Sequence, residues 1–209
     1  SHDIESGSVW RTAGGGSIAN GYRTLSTVDG LAGPAVTLAL DQTGALWVGT
    51  LNNGVSRLLV DQFINYDLGF ETNNRSHALH VDRNGRLWLA TRGGLFYFDG
   101  AEFQRAIGVP GWSVLDVTHD NRGTVWVATE RGLAKQVGPS HFIVVPLLDG
   151  DQPKLTAVVV SADGRVFVGS KGDGLFVVHP DGVIEQHTVA SAGLPSNEAV
   201  SYIYRTLPA

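Results

Sequence analysis

One ten-residue phrase recurs along this chain and limits its possible folds more than any other feature. It reads Asp41-Gln42-Thr43-Gly44-Ala45-Leu46-Trp47-Val48-Gly49-Thr50, and returns at 82–91 and 120–129 with Asp, Gly, Trp and Thr in register. A shorter copy at 163–170 has Phe167 for Trp and Ser170 for Thr, and a fifth begins Gly7-Ser8-Val9-Trp10-Arg11-Thr12. The turn glycines at 7, 44, 85, 123 and 164 are spaced 37, 41, 38 and 41 residues apart, a period typical of propellers and solenoids.

Each unit reads as four short strands. First come apolar runs at 35–40, 78–81, 114–118 and 156–160, then an Asp-x-x-Gly turn whose glycine takes the left-handed conformation. The Trp-bearing strand follows, dense in β-branched residues, with Gly49, Ala90, Ala128 and Gly169 small enough for a neighbouring sheet to come close. Third strands are expected at 55–59, 95–98, 133–136 and 175–179, and fourth strands at 62–66, 102–106, 141–145 and 183–188. Four antiparallel strands in about 40 residues make a propeller blade. With 27 glycines, 43% hydrophobic and 17% charged residues, the chain fits an all-β fold.

The ends complement one another. The N-terminal stretch offers strands at 8–12, 17–20 and 22–26 without a first strand, and 199–206 reads as a first strand without followers. This predicts a five-bladed β-propeller in which the C-terminal strand joins the N-terminal three, making residues 1–209 a single monomeric domain; Ser1-His2 reads as a cloning remnant. The rival is an excised part of a larger propeller.

The phrase at 41–50, the Gly93-Gly94-Leu95 turn and Gly193-Leu194-Pro195-Ser196-Asn197-Glu198-Ala199-Val200 resemble the two-component regulator propeller repeat. That resemblance covers nearly the whole chain, through residues that make turns and fill cores. It implies a bacterial, periplasmic or extracellular module, since such blades form the extracytoplasmic sensing part of hybrid histidine kinases, where arrays usually have seven blades or more.

Net charge is −5 with basic residues scattered, which argues against nucleic acid. No apolar run is long enough for a membrane-spanning helix. His77 and His80, three apart on a strand, point to opposite faces and cannot share a metal, and Asp116 and His119 are placed likewise. No nucleotide loop, metal motif or nucleophile elbow is present, so no metal, cofactor or catalytic residue is assigned.

Function is sought where the copies differ. A residue present in every copy, such as Trp10, Trp47, Trp88, Trp126 or Phe167, has a structural duty between blades. Propeller ligands sit where the linkers into first strands and the turns between second and third strands converge. Unique residues there are Phe70, Asn74, Arg75, His77, Trp112 and Lys154 in linkers, and Asn52, Asn53, Arg92, Glu130, Arg131, Lys171 and Asp173 in turns. The candidate ligand-binding set is Asn53, Arg75, His77, Arg92, Trp112, Arg131, Lys171 and Asp173, with Trp112 offering an aromatic face to a flat ligand.

The expected function is non-catalytic recognition of a small molecule such as a glycan, or of a protein, at the channel mouth. The alternative is a glycan-active hydrolase or lyase, since related repeats occur in streptogramin lyases, with Glu130 and Asp173 as acid and base. A third reading is a scaffold or an engineered propeller.

Overall fold

The computed structural model describes residues 9–12, 22–60, 62–69 and 75–192. Among these, four sheets of four antiparallel strands succeed one another. The first blade is β3 (Ala35–Leu40), β4 (Leu46–Thr50), β5 (Val55–Leu59) and β6 (Gln62–Tyr66). The second is β7 (Ser76–Val81), β8 (Leu87–Thr91), β9 (Gly94–Phe98) and β10 (Phe103–Arg105). The third comprises β11 (Val114–His119), β12 (Val125–Thr129), β13 (Gly132–Gln136) and β14 (Phe142–Val145). The fourth comprises β15 (Leu155–Val160), β16 (Val166–Ser170), β17 (Leu175–Val178) and β18 (Ile184–His187). The expected strands are therefore present, displaced by a residue or two at their ends.

Before these lie β1 (Val9–Thr12) and β2 (Tyr22–Leu25), paired directly with Val9 opposite Leu25. The strand expected at 17–20 lies outside the described residues. So does 199–206, and with it the closing strand of a five-bladed ring. A short helix, α1 (Val189–Ala192), follows the fourth blade.

First strands of successive blades lie beside one another and form the inner wall. Blades stack by burying the strand-two aromatic against the next first strand. Trp47 is buried with Leu79, Leu87 and Leu89 of the second blade, and Trp88 with Val114, Val117 and Val125 of the third. Close approach needs the small residue beside the Trp: a Cβ on Gly49 would meet Ser76 Cβ of the next blade at 2.8 Å. Leu38 differs from its counterparts, being 53% exposed where Leu79, Val117 and Val158 are buried with residues of the preceding blade.

The lower turns show why Asp and Trp recur together. Asp82 Oδ1 accepts from the N–H groups of Asn84 and Arg86, and Oδ2 accepts from the Trp88 indole at 2.8 Å. Asp41 makes the same bonds to Thr43, Ala45 and Trp47, and Asp120 to Arg122, Thr124 and Trp126. In the fourth blade the residue three before the turn glycine is Ser161, whose N–H and C=O make the equivalent backbone turn bonds. The fourth copy therefore starts at Ser161, two residues before Asp163. Its aromatic, Phe167, has no indole N–H to bind, so carboxylate and indole are lost together.

Burial would raise the Asp41 carboxyl, but bonds from the Thr43 hydroxyl, the Trp47 indole and the Ala45 and Thr43 N–H groups outweigh it and hold the group at about 2.

Candidate functional site

The upper end of each blade is where the second strand turns into the third and where the linker enters the first. The buried hydroxyl ending each second strand builds this turn. Thr50, Thr91, Thr129 and Ser170 donate to the carbonyls of Gly54, Gly94, Gly132 and Gly174. They also accept N–H bonds from Asn53, Gly93, Arg131 and Asp173. Serine replaces threonine in the fourth copy because the hydroxyl is what the turn uses. Gly54 and Gly174 have positive φ, and a Cβ there would meet the Tyr66 and His187 carbonyl oxygens at 2.3 and 2.2 Å.

The eight candidate residues all lie at these upper ends, though in different states. Asn53 is committed: its Nδ2 donates to Ala32 O at 2.6 Å, bracing the linker of its own blade. His77 stands at the β-bulge that opens β7, with Nδ1 2.7 Å from Val114 O of the third blade. Burial first, then the charges of Arg75 and Arg92, push its imidazole below the ordinary range. Asp173 lies half-exposed, its carbonyl accepting from Gln186. Arg75, Arg92, Arg131 and Lys171 have exposed side chains, as does Lys154. Phe70 and Asn74 lie outside the described residues.

Trp112 is 64% exposed, and the Arg105 guanidinium stands 5.3 Å from its ring centroid. Two glycines shape its loop. Gly111, with φ of 74°, lies so close to Glu130 and Arg131 that a Cβ would come within 3.3 and 3.2 Å of their side chains. A Cβ on Gly108 would strike Phe142 O at 2.1 Å, because the linker pairs with the third blade through Ile107 and His141. A cleft of about 300 Å³ opens beside it, lined by Gly94, Arg105, Ile107, Val109 and Gly111.

Glu130, one member of the expected acid and base pair, is tied into the same loop. Its Oε1 accepts from Trp112 N at 3.2 Å and Ser113 N at 3.3 Å, so the carboxylate holds the linker. On the inner wall Asp116 accepts from Val117 N and from Val158 N of the fourth blade, and burial raises its carboxyl against the pull of those bonds. His80 and His119 meet across the second and third blades, Nε2 to Nδ1 at 2.7 Å. Thus neither His77 with His80 nor Asp116 with His119 converges on one point.

Clefts of about 590 and 530 Å³ also open at the lower rim, the first between the first and second blades, the second between the third and fourth. Their walls include Asp41, Trp47, Asp82 and Arg86 in one, Asp120, Trp126 and Asp163 in the other, which is largely the machinery of the repeated turns.

Sequence reasoning missed the carboxylate-to-indole bond and the role of Ser161. The signal for both is spacing, since Asp41, Asp82, Asp120 and Ser161 stand three residues before the glycines at 44, 85, 123 and 164 and six before the aromatic of the same copy.

Comparison with known proteins agrees with this architecture. The two component regulator propeller family matches residues 71–93, in the second repeat unit, so the resemblance of the repeat to that family is borne out. No curated protein sequence matches significantly. Among solved structures, the extracellular domain of a hybrid two component system from B. thetaiotaomicron superposes with a TM-score of 0.68 at 20% identity, covering 84% of this chain and 27% of that one. Virginiamycin B lyase from Staphylococcus aureus, solved with quinupristin as an inactive variant, gives 0.64 at 11%, covering 78% and 57%. A gluconolactonase from Xanthomonas campestris gives 0.55 at 15%, covering 79% and 64%. These likenesses establish a β-propeller, and the chain spans about a quarter of the two component domain and under two thirds of the other two.

Proposed function

We propose that this chain is a recognition propeller of the extracytoplasmic sensor kind, presenting its upper loops to a ligand at the mouth of the inner channel. The carrying observation is that the lower turns repeat one bonding scheme while the upper ends depart from the repeat in exposed residues, Trp112 foremost. An exposed indole held by glycine-shaped backbone and stacked on Arg105 has one face free of any packing duty between blades. Such a surface suits a flat or sugar-like ligand.

The repeat type and the extracellular domain among the structural neighbours support a location outside the cytoplasm. The lyase and gluconolactonase neighbours keep an enzyme reading in view, but Glu130, its leading acid, is occupied by two backbone N–H groups.

The test is a thermal-shift and calorimetric screen of the chain against neutral and charged oligosaccharides and small metabolites. A stabilising ligand whose binding is lost in Trp112→Ala, with the fold intact, is the expected result. Turnover of that ligand, abolished in Glu130→Gln, would replace recognition by catalysis.

A further inference from the structure

In each of the four blades one backbone bond ties the residue after the second strand to the residue before the first. Leu51 N donates to Pro34 O, Arg92 N to Arg75 O, Glu130 N to Ser113 O, and Lys171 N to Lys154 O, at 2.8 to 3.0 Å. The bond makes two side chains neighbours on the upper rim, directly above the inner wall. In the first blade they are apolar, and in the third they are Ser and the tied-down Glu130. The second blade places two arginines there and the fourth two lysines.

All four cationic side chains are exposed, and none takes part in the ion pairs found among the described residues. Like charges held side by side repel, so the doublets bring the empty protein no stability. The acidic chain nevertheless sets four of its 15 basic residues at these equivalent points. The position of His77 shows where the charge is felt, since both Arg75 and Arg92 act on this wall residue. Other charges at this level are Arg131, the half-exposed Asp173 and Glu130, the last with its Oε1 turned toward Trp112 N and Ser113 N.

Resting on the recognition reading above, we infer that the upper mouth binds a small ligand carrying two or more anionic groups, carboxylate, sulfate or phosphate. Arg75 and Arg92 receive one group and Lys154 and Lys171 another. A guanidinium fork grips a planar or tetrahedral anion through paired N–H bonds, while the ammonium groups act as point charges. The third blade, lying between the doublets, supplies the exposed Arg131 and the indole of Trp112.

The test uses the whole chain in calorimetry against citrate, pyrophosphate and sucrose octasulfate, with acetate and sucrose as controls at equal ionic strength. At least one polyanion should bind, with affinity falling as sodium chloride is added. Which of the three binds best separates carboxylate, phosphate and sulfate. Arg75→Gln with Arg92→Gln, and Lys154→Gln with Lys171→Gln, should each weaken binding by about tenfold or more. Lys135→Gln, on β13, should leave it unchanged. Circular dichroism and melting temperature of both double variants, unchanged or slightly raised by relief of repulsion, show that the fold survives.

Silence from all three polyanions, or binding indifferent to both double variants, would overturn the inference. A neutral oligosaccharide that binds and is lost in Trp112→Ala, while the polyanions stay silent, would keep the recognition reading and remove the anion from it. Failure of neutral and charged compounds alike would remove both.

Discussion

The lower and upper ends of the blades are built from the same repeat under opposite constraints. At the lower end Asp41, Asp82 and Asp120 spend both carboxylate oxygens inside their own unit, closing a turn and fixing an indole. At the upper end a single hydroxyl closes the turn, and the residues beyond it are free to differ from blade to blade. The difference teaches where identity between copies reports on stability and where it does not. A fully satisfied polar turn tolerates little change, whereas a turn held by one hydroxyl leaves its neighbours open to selection for binding.

Removing a lower carboxylate should have the largest effect. Asp82→Ala would strand the buried Trp88 indole N–H and two backbone N–H groups, costing about 3 kcal/mol, measurable by urea denaturation. Ligand binding at the upper mouth should persist wherever the variant remains folded.

Acid should act next, in two windows. Burial first, then the charge of His119, holds His80 at about 4 against the pull of Asp82. Its folded value lies below its unfolded one, so the unfolded chain takes up the proton first. Stability is complete above the ordinary histidine range and falls as pH drops from about 6.5 toward 4. Asp41, with a folded value of about 2, contributes stability present above its unfolded value of 3.8 and lost as pH falls toward 2. Urea midpoints measured across pH should show both slopes, and His80→Leu should reduce the first to the share that His77 contributes while leaving the second.

Thr91→Val tests the upper hydroxyl and should cost about 1 to 2 kcal/mol, by leaving the Gly93 N–H and Gly94 C=O without their buried partner. Equal or greater damage than from Asp82→Ala would erase the contrast between the two ends. Restoring the missing pair sharpens it: Ser161→Asp and Phe167→Trp together should be more stable than the sum of the single changes by about 1 kcal/mol. Additive behaviour in that double-mutant cycle would show that the indole bond contributes nothing of its own. Smallest of all, Trp112→Ala should alter stability by less than about 0.5 kcal/mol while abolishing ligand binding.

Much of the fold was legible because its signals are local. Trp47, Trp88 and Trp126 mark a strand, Gly44, Gly85 and Gly123 mark a turn, and their spacing marks a blade. What the sequence hid depends on register between segments far apart in the chain. Nothing near Glu130 announces that its carboxylate reaches back 18 residues to Trp112 N, and nothing near Arg75 says that Arg92 will lie against it. The direct pairing of β1 with β2 was hidden likewise, since short strands of similar composition do not declare their neighbours. The differences between copies single out residues of the upper ends, but they do not show that Asn53 is already engaged with Ala32 O.

The bond from carboxylate to indole spans six residues of one copy and touches no other. A blade thus carries within itself the means to form its own corner, and when one half of the arrangement is lost, as at Ser161 and Phe167, the other half goes with it. Copying such a unit carries both halves of the corner together, leaving only the packing of the aromatic on the next blade to be matched. Arrays of this kind are free to lengthen, shorten or exchange members by recombination, leaving the upper loops of each newcomer to diverge.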